Sequence, residues 1–153
     1  MSRTDSASRV IRAERARVFA ALIDADALTG WLPPSGMTGR FERFDARPGG
    51  SYRLVLTYTS ASAGRGKTTA DTDVVEARFV DIVPDVRVVQ AADFVSDDPA
   101  FAGTVTMTWE LSAVEGGTRV EIRAEDVPTG ISAEDHAAGL SSSLANLADY
   151  LEG

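Results

Sequence analysis

Residues 132–151 read SAEDHAAGLSSSLANLADYL, and the fold prediction rests on this segment. Its apolar side chains recur at every third or fourth position, which places them on one face of a helix. The residues of this apolar stripe are Ala137, Leu140, Leu144, Leu147 and Leu151. Burying four leucines contributes about 6–12 kcal/mol before entropy is subtracted, which is comparable to the net stability of a whole domain. We therefore expect the helix to pack against a second apolar surface.

That surface is predicted upstream, where apolar and polar residues alternate with a period of two. Residues 103–126 read GTVTMTWELSAVEGGTRVEIRAED, in which two alternating strands flank the turn Glu115-Gly116-Gly117. Residues 51–59 alternate in the same way. One apolar and one polar face are typical of an antiparallel sheet with one side covered. The last helix is the predicted cover.

Together these patterns predict one soluble α+β domain over residues 1–153. Strands are predicted at 6–11, 37–46, 51–59, 72–83, 86–95, 103–113 and 118–126, and helices at 15–23, 24–31 and 133–151. A strand, two short helices, six strands and a long helix, in that order, are typical of the helix-grip fold. We expect a curved seven-stranded antiparallel sheet with the long C-terminal helix over its concave face.

Composition and charge exclude several classes of protein. The 153 residues carry a net charge of −8 and the arginines are scattered among acidic residues, so a phosphate backbone would be repelled. We therefore expect no nucleic-acid partner. There is no cysteine for disulfides or thiolate metal sites, and no apolar run is long enough to span a membrane. A polar N-terminus without a secretory signal favours a cytoplasmic location.

Several motifs resemble one branch of the START/SRPBCC superfamily. They are Trp31-Leu32-Pro33-Pro34, Gly39-Arg40-Phe41-Glu42, residues 48–53 (PGGSYR), residues 104–111 (TVTMTWEL), residues 116–120 (GGTRV) and Glu134-Asp135-His136 with Ser143-Leu144. The branch is named for its similarity to the C-terminal domain of the heat-shock protein 90 ATPase activator, and the likeness runs from about residue 7 to residue 151. The resemblance implies a cavity under the long helix, where members of the superfamily enclose lipids, sterols and polyketides.

The predicted cavity wall combines aromatic, sulfur-bearing and aliphatic side chains, because small-molecule pockets are mostly apolar with a few polar anchors. The predicted ligand-cavity residues are Trp31, Met37, Phe41, Tyr52, Leu54, Leu56, Tyr58, Phe94, Met107, Trp109, Leu140 and Leu144. The alternative is that these side chains only fill the core of the domain.

Three other features of the sequence are candidates for chemical sites. Residues 64–68 (GRGKT) imitate a phosphate-binding loop, but Ala61 replaces the required upstream glycine. Asp71-Thr72-Asp73 lacks the glycine and the distal glutamate of a calcium loop. His136, the only histidine, is expected to be an exposed or rim side chain, with an acid–base role at the cavity mouth as the alternative. We predict no metal site, no cofactor and no catalytic constellation.

Three functions stay open from the sequence. The leading hypothesis is a non-catalytic or weakly catalytic binder of a small hydrophobic molecule. The second, implied by the resemblance, is a protein-interaction module with a chaperone as its partner. The third is a cyclase or hydrolase acting in the same cavity, with Tyr52, Tyr58 or His136 as acid–base groups. The third requires at least two ionisable groups to converge inside the cavity.

Overall fold

The computed structural model describes residues 3–33, 37–58, 72–94, 99, 103–128 and 130–152. The described strands are β1 (Thr4–Ile11), β2 (Met37–Phe44), β3 (Ser51–Tyr58), β4 (Thr72–Val83), β5 (Arg87–Phe94), β6 (Val105–Val114) and β7 (Gly117–Glu125). The described helices are α1 (Arg15–Ile23), α2 (Ala25–Trp31) and α3 (Ala133–Glu152). The types and order of these elements are those predicted. Residues 64–68 and Asp71, considered above as chemical sites, lie outside the described residues.

All seven strands form one antiparallel sheet in the order β1-β7-β6-β5-β4-β3-β2. The first strand pairs with the last, from Thr4 opposite Glu125 to Ile11 opposite Thr118. The register shifts between Phe41 and Arg43 in β2 and again within β4. Irregularities of this kind bend a strand. The predicted α+β architecture with a seven-stranded sheet and a long C-terminal helix is confirmed.

The three helices pack on one side of the sheet, which we call the inner face. The buried inner-face side chains of the sheet include Tyr52, Leu54, Ala77, Phe79, Val88, Trp109, Leu111, Val120 and Ile122. Leu140, Leu144, Leu147 and Leu151 of α3 belong to the same apolar cluster. The four leucines therefore pack on the sheet as their spacing predicts. Within the described ranges, none of the helices has both the length and the apolar character needed to cross a bilayer.

Ala137 is the exception in the predicted apolar stripe of α3. It is exposed, as are all the residues from Ala133 to Gly139 except the half-buried His136. The helix begins under a cap, in which the Asp135 backbone N–H donates to Ser132 Oγ at 3.1 Å. Apolar packing starts only at Leu140, whereas Asp135, His136 and Gly139 of the first turns line an open space.

The opposite side of the sheet, the outer face, carries charged side chains, as the alternation predicts. Arg123 of β7 contacts Glu110 at 3.2 Å, Glu121 at 3.1 Å and Glu125 at 3.3 Å. Exposed ion pairs of this kind each contribute about 0–1 kcal/mol. The outer face around Arg123 is therefore a solvated surface, and the main apolar cluster lies on the inner face.

Candidate functional site

A cavity of about 580 Å³ lies between the inner face of the sheet and the helices. Its lining residues come from α1, α2, β2 to β7 and the first half of α3. Nine of the twelve predicted cavity residues line it, namely Trp31, Met37, Tyr52, Leu54, Leu56, Tyr58, Met107, Trp109 and Leu140. That these side chains contact a ligand stays a prediction.

The other three predicted residues are placed differently. Phe41 is not among the lining residues, because its ring packs edge-on against Phe44, with centroids 4.9 Å apart, and against Tyr52 at 5.4 Å. Leu144, one turn beyond Leu140, is 1% exposed and packs in the core. The side chain of Phe94 lies outside the described part of the structure.

The two tryptophans fix one wall of the cavity. Trp31 ends α2, and its Nε1 donates to the Ala21 carbonyl oxygen of α1 at 3.0 Å. Its ring meets that of Trp109 edge-on, with centroids 5.6 Å apart and planes at 84°. Such edge-to-face contacts are favourable beyond the area they bury. The pair therefore holds α1 and α2 at a defined position over β6.

Several lining residues were not among those predicted from the sequence. The apolar ones are Leu22, Leu28, Leu32, Val75, Ala92, Val105, Ile122 and Ile131. Val75 and Ala92 occupy the positions of their strands at which apolar residues alternate with polar ones, so their place on the inner face could be predicted from the sequence. Their distance from the helices could not, because it depends on how the helices cross the sheet.

Two uncharged polar groups, Gln90 and Tyr52, stand on the inner face among these apolar side chains. Gln90 is 8% exposed and Tyr52 is 7% exposed. Both line the cavity, and neither side chain forms a hydrogen bond with the described residues. No fully enclosed side-chain nitrogen or oxygen in the described part lacks a partner, so these polar atoms reach the free space of the cavity. Burial raises the pKa of the Tyr52 hydroxyl to about 12, which keeps it a neutral donor.

Gln90 is not among the residues predicted to line the cavity, although the sequence contains a signal for it. Its side chain lies on the same face of β5 as those of Val88 and Ala92. A polar residue at an inner-face position of an otherwise apolar strand end is unusual, since burying an amide without a partner is unfavourable. That mismatch is the signal for a polar contact within the cavity.

A second polar region lies where β3 ends and β4 begins. The Tyr58 hydroxyl donates to Asp73 Oδ2 at 3.4 Å. Asp73 is only 3% exposed, and both residues line the cavity. This end of the cavity therefore carries a buried carboxyl group.

His136 is the third polar feature and lies at the α3 side of the cavity. Its Nδ1 is 2.7 Å from Asp5 Oδ2 of β1, and its side chain is 17% exposed. Arg3 also donates to Asp5 Oδ2, at 3.2 Å. Burial by itself raises the pKa of Asp5, but the hydrogen bonds from His136 and Arg3 outweigh it, so this pKa is lowered. The expected rim position of His136 agrees with this geometry, whereas an acid–base role stays a prediction.

Comparison with known proteins assigns the chain to a family. Residues 12–152 match the model of the family described as activator of Hsp90 ATPase homolog 1-like protein. The chain belongs to this family. The resemblance drawn from the sequence is thereby confirmed over almost the same range.

Solved structures with the same fold come from several bacteria. Protein CV1439 from Chromobacterium violaceum is 29% identical, with 98% of this chain and 97% of that chain covered and a TM-score of 0.86. The AHSA1-like protein from Aeromonas hydrophila is 20% identical, with 98% and 92% covered and a TM-score of 0.75. A protein from Rhodobacter sphaeroides is 19% identical, with 97% and 89% covered and a TM-score of 0.74. Among curated proteins no match was found.

Proposed function

We propose that this protein binds a small hydrophobic molecule in the cavity between the inner face and α3. The observation that carries the proposal is the cavity itself, whose volume of about 580 Å³ falls in the range of small-molecule sites. Its wall is mostly apolar, with a few polar groups, which is the usual composition of such sites. Atoms that line an unfilled space lose dispersion contacts on one side, and a bound apolar molecule restores them.

The two tryptophans offer a direct test. They are the only ones in the sequence, and both line the cavity, so tryptophan emission reports on its contents. Titration with Nile red, an uncharged apolar dye, is expected to quench that emission saturably and to enhance the emission of the dye. Native mass spectrometry of the purified protein would show any molecule carried from the expression host.

A matched pair of variants locates the binding. Ala92→Phe adds a ring to the cavity wall and is expected to weaken Nile red binding at least tenfold. Val80→Phe makes a similar change on β4, at a residue that is 50% exposed, and is expected to leave binding unchanged. Circular dichroism of both variants checks that they fold, and the smaller Ala92→Leu change serves if Ala92→Phe does not. Equal binding by the folded Ala92 variants and the wild type contradicts the proposal.

A second candidate function is acid–base catalysis on the bound molecule. It is favoured by ionisable groups in the cavity wall, because Tyr58 and Asp73 lie together in it and His136 lines it at the α3 side. His136 is also oriented by Asp5, in the manner of a base held by a carboxylate. Incubation of the protein with a molecule that it binds, followed by mass spectrometry, tests for conversion. His136→Gln is expected to stop conversion while leaving Nile red binding intact.

Interaction with a chaperone ATPase is suggested by the family description alone. A pull-down with the purified chain from a bacterial lysate tests this hypothesis. Recovery of no chaperone would exclude the chaperone-interaction hypothesis and would leave the proposed ligand binding untouched.

A further inference from the structure

We propose that the cavity selects uncharged molecules with a hydrogen-bonding group, such as alcohols and amides, through Gln90 and Tyr52, and that it rejects carboxylates. This inference rests on the proposed binding function and names the chemical class of the ligand.

The first support is that Gln90 and Tyr52 lack hydrogen-bond partners among the described residues. Both side chains are more than nine-tenths buried, both line the cavity, and neither has a hydrogen-bond partner among the described residues. Most buried polar side chains in proteins are hydrogen-bonded. A ligand that brings a hydroxyl, carbonyl or amide group into the cavity supplies the missing partner. A purely hydrocarbon ligand does not.

The second support is the arrangement of the two groups on one wall. Tyr52 of β3 lies opposite Ala77 of β4, and Gln90 of β5 lies opposite Phe79 of β4. Ala77 and Phe79 are consecutive inner-face positions of the same strand. The two polar groups therefore belong to neighbouring rows of the inner face, on either side of β4. The amide both donates and accepts, and the phenol donates, so each suits an uncharged hydrogen-bonding group on a ligand.

The third support is the charge of the wall. Among the described lining residues there is no lysine or arginine, whereas Asp73 is a buried acid on the same wall. Arg3 lies near the α3 side of the cavity, but its guanidinium already contacts Asp5 and the carbonyl oxygen of Ile131. A carboxylate that left water for this cavity would lose its hydration, and the described wall offers it no lysine or arginine in return. An uncharged ligand avoids that loss.

Three probes with one apolar body separate these possibilities. Decanol, decanamide and decanoic acid share a ten-carbon chain and differ in the polar group. Displacement of Nile red at pH 7.5 measures their affinities, because decanoic acid is then ionised. The alcohol and the amide are expected to bind at least tenfold more tightly than decanoate.

Two near-isosteric variants assign the selectivity to the proposed groups. Gln90→Leu and Tyr52→Phe remove the polar atoms and keep most of the side-chain volume. Each is expected to weaken decanol and decanamide binding about fivefold to tenfold, the value of one net hydrogen bond. Nile red is first titrated into each variant, so that displacement by the probes is compared at equal occupancy of the dye. Thermal unfolding checks the fold, and replacement of an unpaired buried amide by leucine is expected to raise Tm.

The outcomes distinguish this inference from the function on which it rests. If Nile red binds and decanoate displaces it as well as decanol does, the cavity binds ligands without the proposed selectivity, and the inference is overturned. If both variants bind decanol as the wild type does, the assignment to Gln90 and Tyr52 is overturned. If neither Nile red nor any of the three probes binds, the proposed function fails and this inference with it.

Discussion

Nδ1 of His136 lies 2.7 Å from Oδ2 of Asp5, and this contact joins the first turns of α3 to the edge strand β1. Arg3 extends the link, since it donates to the same carboxylate and to the carbonyl oxygen of Ile131 just before α3. The other side chains of residues 133–139 are exposed. The contacts of Asp5 and Arg3 therefore hold the part of α3 that borders the cavity.

Loss of the Asp5 charge is expected to destabilise the protein at neutral pH but not in acid. The pKa of Asp5 is lowered by its hydrogen bonds in the folded state, so the carboxylate stabilises the fold above its unfolded value near 3.8. That contribution is lost as the pH falls through the lower folded value. We expect Asp5→Asn to lower the free energy of unfolding by about 1–2 kcal/mol at pH 6.

Urea denaturation at pH 6 and at a series of values below 4 measures this difference between Asp5→Asn and the wild type. The two proteins should converge in stability as the pH falls. Glu115→Gln, in the exposed turn between β6 and β7, is the control for the removal of one carboxylate. A gap that stays constant over this pH range would contradict the role assigned to Asp5.

The buried hydroxyl of Tyr52 is expected to make the folded protein less stable at alkaline pH. Burial raises its pKa from 10.0 to about 12, so the unfolded chain releases this proton at a lower pH than the folded protein does. The free energy of unfolding therefore decreases as the pH rises between these two values, by up to about 3 kcal/mol. Tyr52→Phe should remove this part of the decrease. Urea denaturation at pH 9 and pH 11 compares the two proteins. An identical pH dependence of their free energies of unfolding would contradict the prediction.

Leu140 and Leu144, one turn apart in α3, should respond differently to truncation. Leu144 is enclosed by the core, so Leu144→Ala leaves a new void and is expected to destabilise the protein by about 3–4 kcal/mol. Leu140 already borders the cavity, so Leu140→Ala removes fewer contacts and is expected to cost about 1–2 kcal/mol. Chemical denaturation measures both. Equal losses would indicate that the space under Leu140 is filled by protein atoms.

The neighbouring glycines of the β6–β7 turn provide a matched test of close packing. A Cβ at Gly117, where φ is 152°, would overlap the carbonyl oxygen of Ile11, whereas one at Gly116 would meet no atom within 4 Å. Gly116 has a φ of 87°, so Gly116→Ala is expected to cost about 1–2 kcal/mol from backbone strain alone. Gly117→Ala should lower stability by clearly more than this, because β1 must also move. Thermal unfolding measures the Tm of both variants. A difference between the two Tm values smaller than experimental error would refute this explanation.

The faces of the strands could be predicted from the sequence, because the side-chain period of a strand is a local property. Met107 and Trp109 alternate with threonines along β6, and that order alone assigns them to the covered side. The same reasoning works for Leu144 and Leu147, whose spacing sets them on one side of a helix. It also produced an error: Ala137 continues the spacing, yet this residue is exposed.

Periodicity along the chain is enough to predict an apolar helix over one side of an antiparallel sheet, since it sets which way each side chain points relative to its own backbone. The position of the gap under the covering helix depends instead on tertiary packing. Phe41 packs against Phe44 and Tyr52, and Gln90 faces the free space of the cavity. His136 contacts Asp5, which lies 131 positions earlier in the chain. Such contacts depend on the distance between two backbones that only the packing of the whole chain sets.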